Sequence, residues 1–320
     1  MKNNSLNWVL TLALAFAATA CGSTSEGAGA TGGTGGAAGA GGTRSNGREA
    51  MGFVFADFGF LYPNTDLATY PGGENDDFEV EGVPAFDLDS ADGGGTEPGT
   101  CSHEDFNDAD GAPGVDYGLW SFLSAFEPLG QGQLVDSVVS SAVKNGEMSI
   151  VMELGGVDDL VNDDEVTVQI FSTQDSPLVG TDGQVLPNGT LAVHPDTKFH
   201  STIATGEIKD GVLEAGPFDV SLKFFIQIVD ANMLLTDNYI RLTLGNGTAS
   251  GVLSGHWTVA QIDEIIGTPT TENGNAAGFD YPQFTAAMGA ADAGYDDATG
   301  ECTSFTTVFR LDAVSAFLTD

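Results

Sequence analysis

From Phe218 to Ile228 large apolar residues recur at every second position: Phe218, Val220, Leu222, Phe224, Ile226 and Ile228, with Asp219, Ser221, Lys223 and Gln227 between them. Successive side chains of a strand point to opposite faces, so this run reads as a half-buried antiparallel strand. Shorter runs repeat the pattern at Met148, Ile150, Met152 and Leu154, at Val166, Val168 and Ile170, and at Ile240, Leu242 and Leu244. Phe305, Phe309 and Leu311 suggest a closing strand near the C-terminus. Asp182-Gly183, Asp210-Gly211, Asn188-Gly189 and Asn246-Gly247 punctuate these runs as hairpin turns, because both residues of such pairs tolerate positive φ.

Helical spacing is confined to short stretches. Leu119, Phe122, Leu123 and Phe126 share one face, as do Leu134, Val135, Val138, Val139, Ala142 and Val143, and Lys144-Asn145-Gly146 is a suitable helix end. The two form a hairpin broken near Pro128 to Gly132. Thr258 with Gln261 reads as a capping box ahead of Ile262, Ile265 and Ile266, and residues 281–291 suggest a further short helix. The expected class is therefore α+β and β-rich: an antiparallel sheet or sandwich with an inserted helical hairpin and short C-terminal helices.

Charge narrows the partners. Lys and Arg number 9 against 46 Asp and Glu, a formal net charge of −37, which repels phosphate backbones and anionic headgroups. Nucleic acid is excluded as a partner, and cations and cationic partners remain. The 95 residues from Glu49 to Val143 contain 19 acids and no Lys or Arg, so the acids around Glu74 to Asp110 must be solvated, calcium-bound or both.

Residues 1–20 read as an export signal: Lys2, an apolar run from Trp8 to Ala17 too short to span a bilayer, and the small residues Ala18-Thr19-Ala20 before Cys21. This arrangement looks like a bacterial lipoprotein signal, with Cys21 the acylated first mature residue. The alternative is ordinary cleavage at the same place, leaving a soluble secreted chain. Gly22 to Gly47 is almost wholly Gly, Ala, Ser and Thr, with nothing to offset ordering entropy, so residues 21–48 read as a tether of roughly 25 to 30 Å root-mean-square span. Gly22 and Ser23, with no Asp just after Cys21, point to the outer membrane. The folded part is then a single domain over residues 49–320.

With Cys21 acylated, Cys101 and Cys302 are an even pair in an oxidising compartment and are expected to bond, the alternative being two buried thiols. A bridge over so long a loop contributes roughly 4 to 5 kcal/mol on the chain-entropy model.

The sharpest chemical pattern lies between Asp105 and Asp116. Asp108, Asp110, Gly111, Gly114 and Asp116 form D-x-D-G-x-x-G-x-D, in which carboxylates converge and glycines allow sharp turns, as a calcium ion with 6 to 8 oxygen ligands requires. It resembles the acidic loops of dockerin and thrombospondin-type repeats. Asp105 and Asn107 supply further oxygens, and the candidate ligand set is Asp105, Asn107, Asp108, Asp110 and Asp116, with calcium the candidate cofactor. It is not a complete EF-hand, since Tyr117 stands where a bidentate Glu is needed. The alternative makes Asp108 and Asp110 turn formers and Asp116 a cap for the helix near Leu119.

Catalytic patterns are weaker. Gly251-Val-Leu-Ser-Gly255 misses the G-x-S-x-G nucleophile elbow by one residue, and Ser254-Gly255-His256 reads as a strand-to-helix corner. His103, His194, His200 and His256 are scattered. Pairs such as Asp158 with Asp159 or Asp163 with Asp164 suit glycosidase chemistry only if a cleft brings two carboxylates face to face. No catalytic residue is assigned, and enzyme activity is not the favoured expectation.

Cys101, Asp105-Phe106, Asp110-Gly111, Gly114-Val-Asp116, Asn145-Gly146, Leu154-Gly-Gly-Val-Asp158-Asp159-Leu160 and Asp164-Glu-Val166 form an ordered series of short motifs. It continues through Gly206-Glu-Ile208, Gly211-Val-Leu213, Ala215-Gly-Pro217, Gly251 to Gly255 and Gly300-Glu-Cys302. In this series the chain resembles a group of uncharacterised acidic lipoproteins of myxobacterial type, over most of residues 86–312, and the resemblance implies no activity. Two function classes compete. One is a noncatalytic envelope lipoprotein that binds a ligand, glycan or protein partner on a rigid β-rich body and meets the membrane through its N-terminal lipid. The other is a secreted hydrolase acting on polysaccharide. Exposed aromatics clustered in one groove, such as Tyr62, Tyr70, Trp120 or Trp257, would favour binding.

Overall fold

The structure, a computed structural model, describes residues 50–61, 83–89, 101, 105–108, 111–125, 139–226, 229–267 and 281–320. The signal segment, Cys21, the tether, Asp110 and the first residues expected of the second helix (Leu134, Val135, Val138) lie outside these. In chain order the elements are β1 (Ala50–Phe60), β2 (Phe106–Asn107), β3 (Pro113–Val115), α1 (Leu119–Ser124), α2 (139–145), β4 (Ile150–Gly155), β5 (Asp163–Ser172) and β6 (Gly189–Ala192). They continue as β7 (Ala204–Lys209), β8 (Val212–Ile226), β9 (Val229–Leu244), β10 (Thr248–Thr258), α3 (Val259–Ile262), α4 (Tyr281–Met288), β11 (Ala293–Asp296) and β12 (Glu301–Thr319).

The β-rich antiparallel class is as the sequence indicates, and the sheet also closes on itself. Strands β1, β4, β5, β7, β8, β9, β10 and β12 are hydrogen-bonded in that order, every pairing antiparallel, and β12 returns to pair with β1. Residue Phe309 sits opposite Leu253 on one side and Phe60 on the other, so the same stretch of β12 is bonded along both edges. The result is an eight-stranded up-and-down barrel, an architecture that removes sheet edges altogether.

An eight-stranded barrel has an interior just wide enough for side chains to fill. Here Phe53, Phe55, Phe58, Met152, Leu253 and Phe309, each at most 1 % exposed, supply the filling. Phe58 stacks on Phe309 with 4.8 Å between centroids, and Phe60 lies 5.3 Å from Phe309. Strand β1 carries no clean two-residue period because its register shifts between Phe55 and Asp57. That bulge keeps Phe53, Phe55, Phe58 and Phe60 on the inner face and turns Asp57 outward, where it pairs with Arg310 at 2.7 Å and accepts the Ser140 hydroxyl of α2 at 2.7 Å. Sequence reading assigned no strand here, and the bulge is the reason.

The outer face is covered in two places. Val54, Val151, Phe171, Ala316 and Leu318 form a second apolar cluster with Val185, Leu191 and Val193 of the long β5–β7 connection, whose β6 runs parallel to β12. Elsewhere α1 and α4 pack beside β12, with Phe122 5.6 Å from Phe284 and 5.8 Å from Phe305. Cys101 and Cys302 stand at disulfide distance, their Cα atoms 5.6 Å apart, which ties the acidic region to β12.

Local signals hold with two exceptions. Asp210 (φ 51) and Gly211 (φ 81) form the tight turn between β7 and β8. Thr258 accepts the Gln261 amide at 3.3 Å, while the Gln261 side chain accepts from Leu234 and leaves the capping box half closed. Asn188-Gly189 is not a hairpin turn: Asn188, at φ 63, leads into the parallel strand β6 and donates its amide to Ser315. Ser254-Gly255-His256 is not a corner but the interior of β10, at a register shift opposite β9; the corner comes at Thr258.

Because Phe58 and Phe309 stack inside the closed ring, Phe58→Ala should lower stability by about 3 to 5 kcal/mol with an unchanged m-value in urea unfolding. A loss under 1 kcal/mol would show that the interior is not packed around this pair.

Candidate functional site

The acidic segment is drawn onto the barrel by a single arginine. Arg241 on β9 pairs with Glu214 of β8 at 2.6 Å, donates to the Ala85 carbonyl at 3.2 Å and lies over the Phe86 ring at 4.6 Å. Phe86 in turn packs against Tyr239 at 5.5 Å. Nearby, Val83 donates to Asn107 at 2.7 Å and Asp116 donates its amide to Phe86 at 3.2 Å, so residues 83–89 and the β2–β3 ribbon are stitched together.

Asp116 is the centre of the arrangement. It is 6 % exposed, and its Oδ2 accepts the amides of Leu88 at 2.6 Å and Asp89 at 3.1 Å. These bonds bend residues 87–89 around it, so that carboxylate oxygens of Asp87, Asp89 and Asp116 all lie within 4.8 Å of one another, the first two residues exposed and the third buried. Three hard oxygen donors at that separation suit an ion whose metal–oxygen distances are about 2.3 to 2.6 Å, so the trio can hold a metal ion, with solvent completing its shell.

Electrostatics agree with the geometry. Burial is the largest cause that raises the Asp116 carboxyl from its ordinary range, to about 7. The Leu88 amide opposes this, the charge of Asp89 adds to it, the Asp89 amide opposes it, and the charge of Asp105 adds a further increment. A cation bound there would displace this proton and compensate the buried charge, so its affinity would rise with pH.

The expected ligands are distributed as follows. Asp116 is in the trio, and Asp105 is near enough for its charge to act on it. Asp108 shapes a turn, its carboxylate accepting the Ala112 amide at 2.7 Å. Asn107 is exposed on β2, and Asp110 lies outside the described residues. The helix-cap alternative is corrected: α1 starts from Gly118 with no side-chain cap, and the Gly118 amide goes to Thr306. Asp116 caps the 88–89 bend instead. Asp87 and Asp89 were missed as candidate ligands, although D-x-D at 87–89 repeats the spacing that drew attention to Asp108 and Asp110.

The other candidates resolve into structure. Asp163 accepts the amides of Asp158 at 2.6 Å, Asp159 at 3.4 Å and Glu165 at 3.2 Å, so this carboxylate shapes the β4–β5 connection. Ser254 is fully buried in β10. His194 is buried against Phe199, with Gln174 and Asp196 on its nitrogens. Trp257 is 4 % exposed, Trp120 is half-buried beside Tyr117, and Tyr62, Tyr70 and His103 lie outside the described residues. Comparison with family models, curated proteins and solved structures returns no match.

The raised Asp116 carboxyl sets the sign of a pH effect. Between about 4 and 7 the folded state holds a proton that the unfolded state has lost, so in chelator its contribution to stability is greatest below pH 4 and disappears as pH rises through 7. Asp116→Asn should remove that slope and gain stability over wild type at pH 8, read as urea midpoints from pH 4 to 8. Parallel pH profiles for the two proteins would contradict the assignment.

Proposed function

We propose that the chain is a noncatalytic envelope lipoprotein of the acidic myxobacterial type, acylated at Cys21 and tethered to the outer membrane. Its barrel is a rigid scaffold for binding a glycan or protein partner, and a calcium ion at Asp87, Asp89 and Asp116 stiffens the segment laid across its outer face. The observation that carries the reading is the trio itself: three carboxylates brought within 4.8 Å by hydrogen bonds of their own backbone, one of them buried. Such a cluster is unfavourable without a counter-ion, and oxygen-only ligands with room for waters suit calcium better than the strict octahedron of magnesium.

Two further features support a scaffold. The described barrel interior is filled by aromatic and aliphatic side chains, which leaves recognition to connections and outer faces. Asp159 and Asp163, two of the four carboxylates that the sequence offered for hydrolysis, accept backbone amides within the β4–β5 connection.

Extracellular calcium modules bind at about 0.1 to 1 mM, so the test uses the mature chain at millimolar metal and fixed ionic strength. At a tenfold excess over the dissociation constant, calcium should add roughly 1.4 kcal/mol, a rise of a few degrees in Tm. Magnesium should do less, and Asp87→Asn with Asp89→Asn, both exposed positions, should abolish the difference. Equal shifts with both metals would indicate general screening and overturn the site.

A further inference from the structure

We propose that the hairpin at residues 178–186 is a lipid-contacting tip that lays the barrel against the bilayer beside its anchor. The inference rests on the reading of Cys21 as acylated, and adds to it a second, non-covalent membrane contact.

Three observations converge. First, the hairpin is built with its apolar side chains outward. Leu186 donates to Leu178, Val179 bridges Val185, and the Asp182 carboxylate accepts the Gln184 amide in a turn made possible by Gly183 at φ 79. Val185 is buried, yet Leu178 is 64 %, Leu186 44 % and Val179 42 % exposed. Large apolar groups displayed together on an ordered turn mark a contact surface.

Second, the position suits the anchor. Val185 packs in the same cluster as Val54 of β1, and the tether joins β1 at Ala50, four residues earlier and about 13 Å away along the strand. A Gly-rich coil of the length of residues 22–47 spans roughly 25 to 30 Å, so an acyl group at Cys21 and the hairpin can reach one bilayer surface together.

Third, the charge is locally relaxed. In a chain of net charge −37, the hairpin holds one acid, Asp182 at its turn, and the 13 residues from Gly183 to Pro195 carry none. With its single carboxylate held at the turn by the Gln184 amide, the hairpin can bring the exposed leucines of its two arms into the headgroup boundary at modest desolvation cost.

The test uses the mature chain in phosphatidylcholine vesicles with and without brominated acyl chains, after the mass of the N-terminal peptide has reported acylation. An indole introduced by Val179→Trp should lose most of its emission in brominated vesicles. Wild type, which retains only Trp120 and Trp257 after signal removal, and the control Leu234→Trp on β9 should not. Adding Leu178→Asn and Leu186→Asn, exposed positions that leave the fold intact, should abolish the quenching. No quenching beyond wild type in an acylated chain would overturn the proposal, as would a vesicle-independent, concentration-dependent shift of the new indole, which would mark the tip as a contact between copies. If the peptide proves unacylated, the anchor reading fails separately, and quenching of the same variant at high lipid decides the tip by itself.

Discussion

The structure depends on β12 being bonded along both edges. Without the β1–β12 ladder the remaining strands would form an open sheet, with Phe53, Phe55, Phe58 and Phe60 losing the opposing wall they pack against. Closure turns a surface that one layer could not bury into an interior, and the β1 bulge makes this compatible with an ion pair outside, Asp57 with Arg310. Burial also holds the Asp312 carboxyl above its ordinary range, with Asp57 adding to the effect and Arg310 opposing it. The outer face at this point is thus a charged cluster, as a sheet with both faces covered allows.

The site follows from the barrel. Arg241 is placed outward by the β9 alternation whose inward members are Ile240 and Leu242, and from there it can bind both Glu214 and the acidic segment. Segment 83–89 then presents its amides to Asp116, and those hydrogen bonds draw Asp87 and Asp89 into reach of it. A chain with few cations uses one of them to gather anions into a group that a metal ion can complete.

Much of the barrel could be read from residue order, because β4, β5, β8 and β9 carry unbroken alternation and turns such as Asp210-Gly211 carry their own chemistry. What escaped was β1, whose bulge disrupts the period, and β7 and β10, whose small residues at 204, 206, 251 and 255 dilute it. Ring closure joins residues about 250 apart in sequence and leaves no local mark. At the site, Asp116 was recognisable from its spacing, whereas its partners arrive from a segment some 28 residues earlier through bonds made by backbone, which no side-chain pattern reports.

Closure of the ring is the claim on which the interior, the outer-face ion pair and the placement of Arg241 all rest, and native-state hydrogen exchange tests it most directly. Successive amides of an antiparallel strand point to opposite neighbours, and β1 pairs with β4 over residues 50–54 and with β12 over residues 52–60, so a closed ring protects the β12-facing amides of residues 52–60 up to the free energy of global unfolding. An open sheet would protect only those facing β4 and let those facing β12 exchange rapidly. Protection of the β12-facing amides as strong as that of the β4-facing ones is the expected result, and rapid exchange of the β12-facing amides would contradict the barrel.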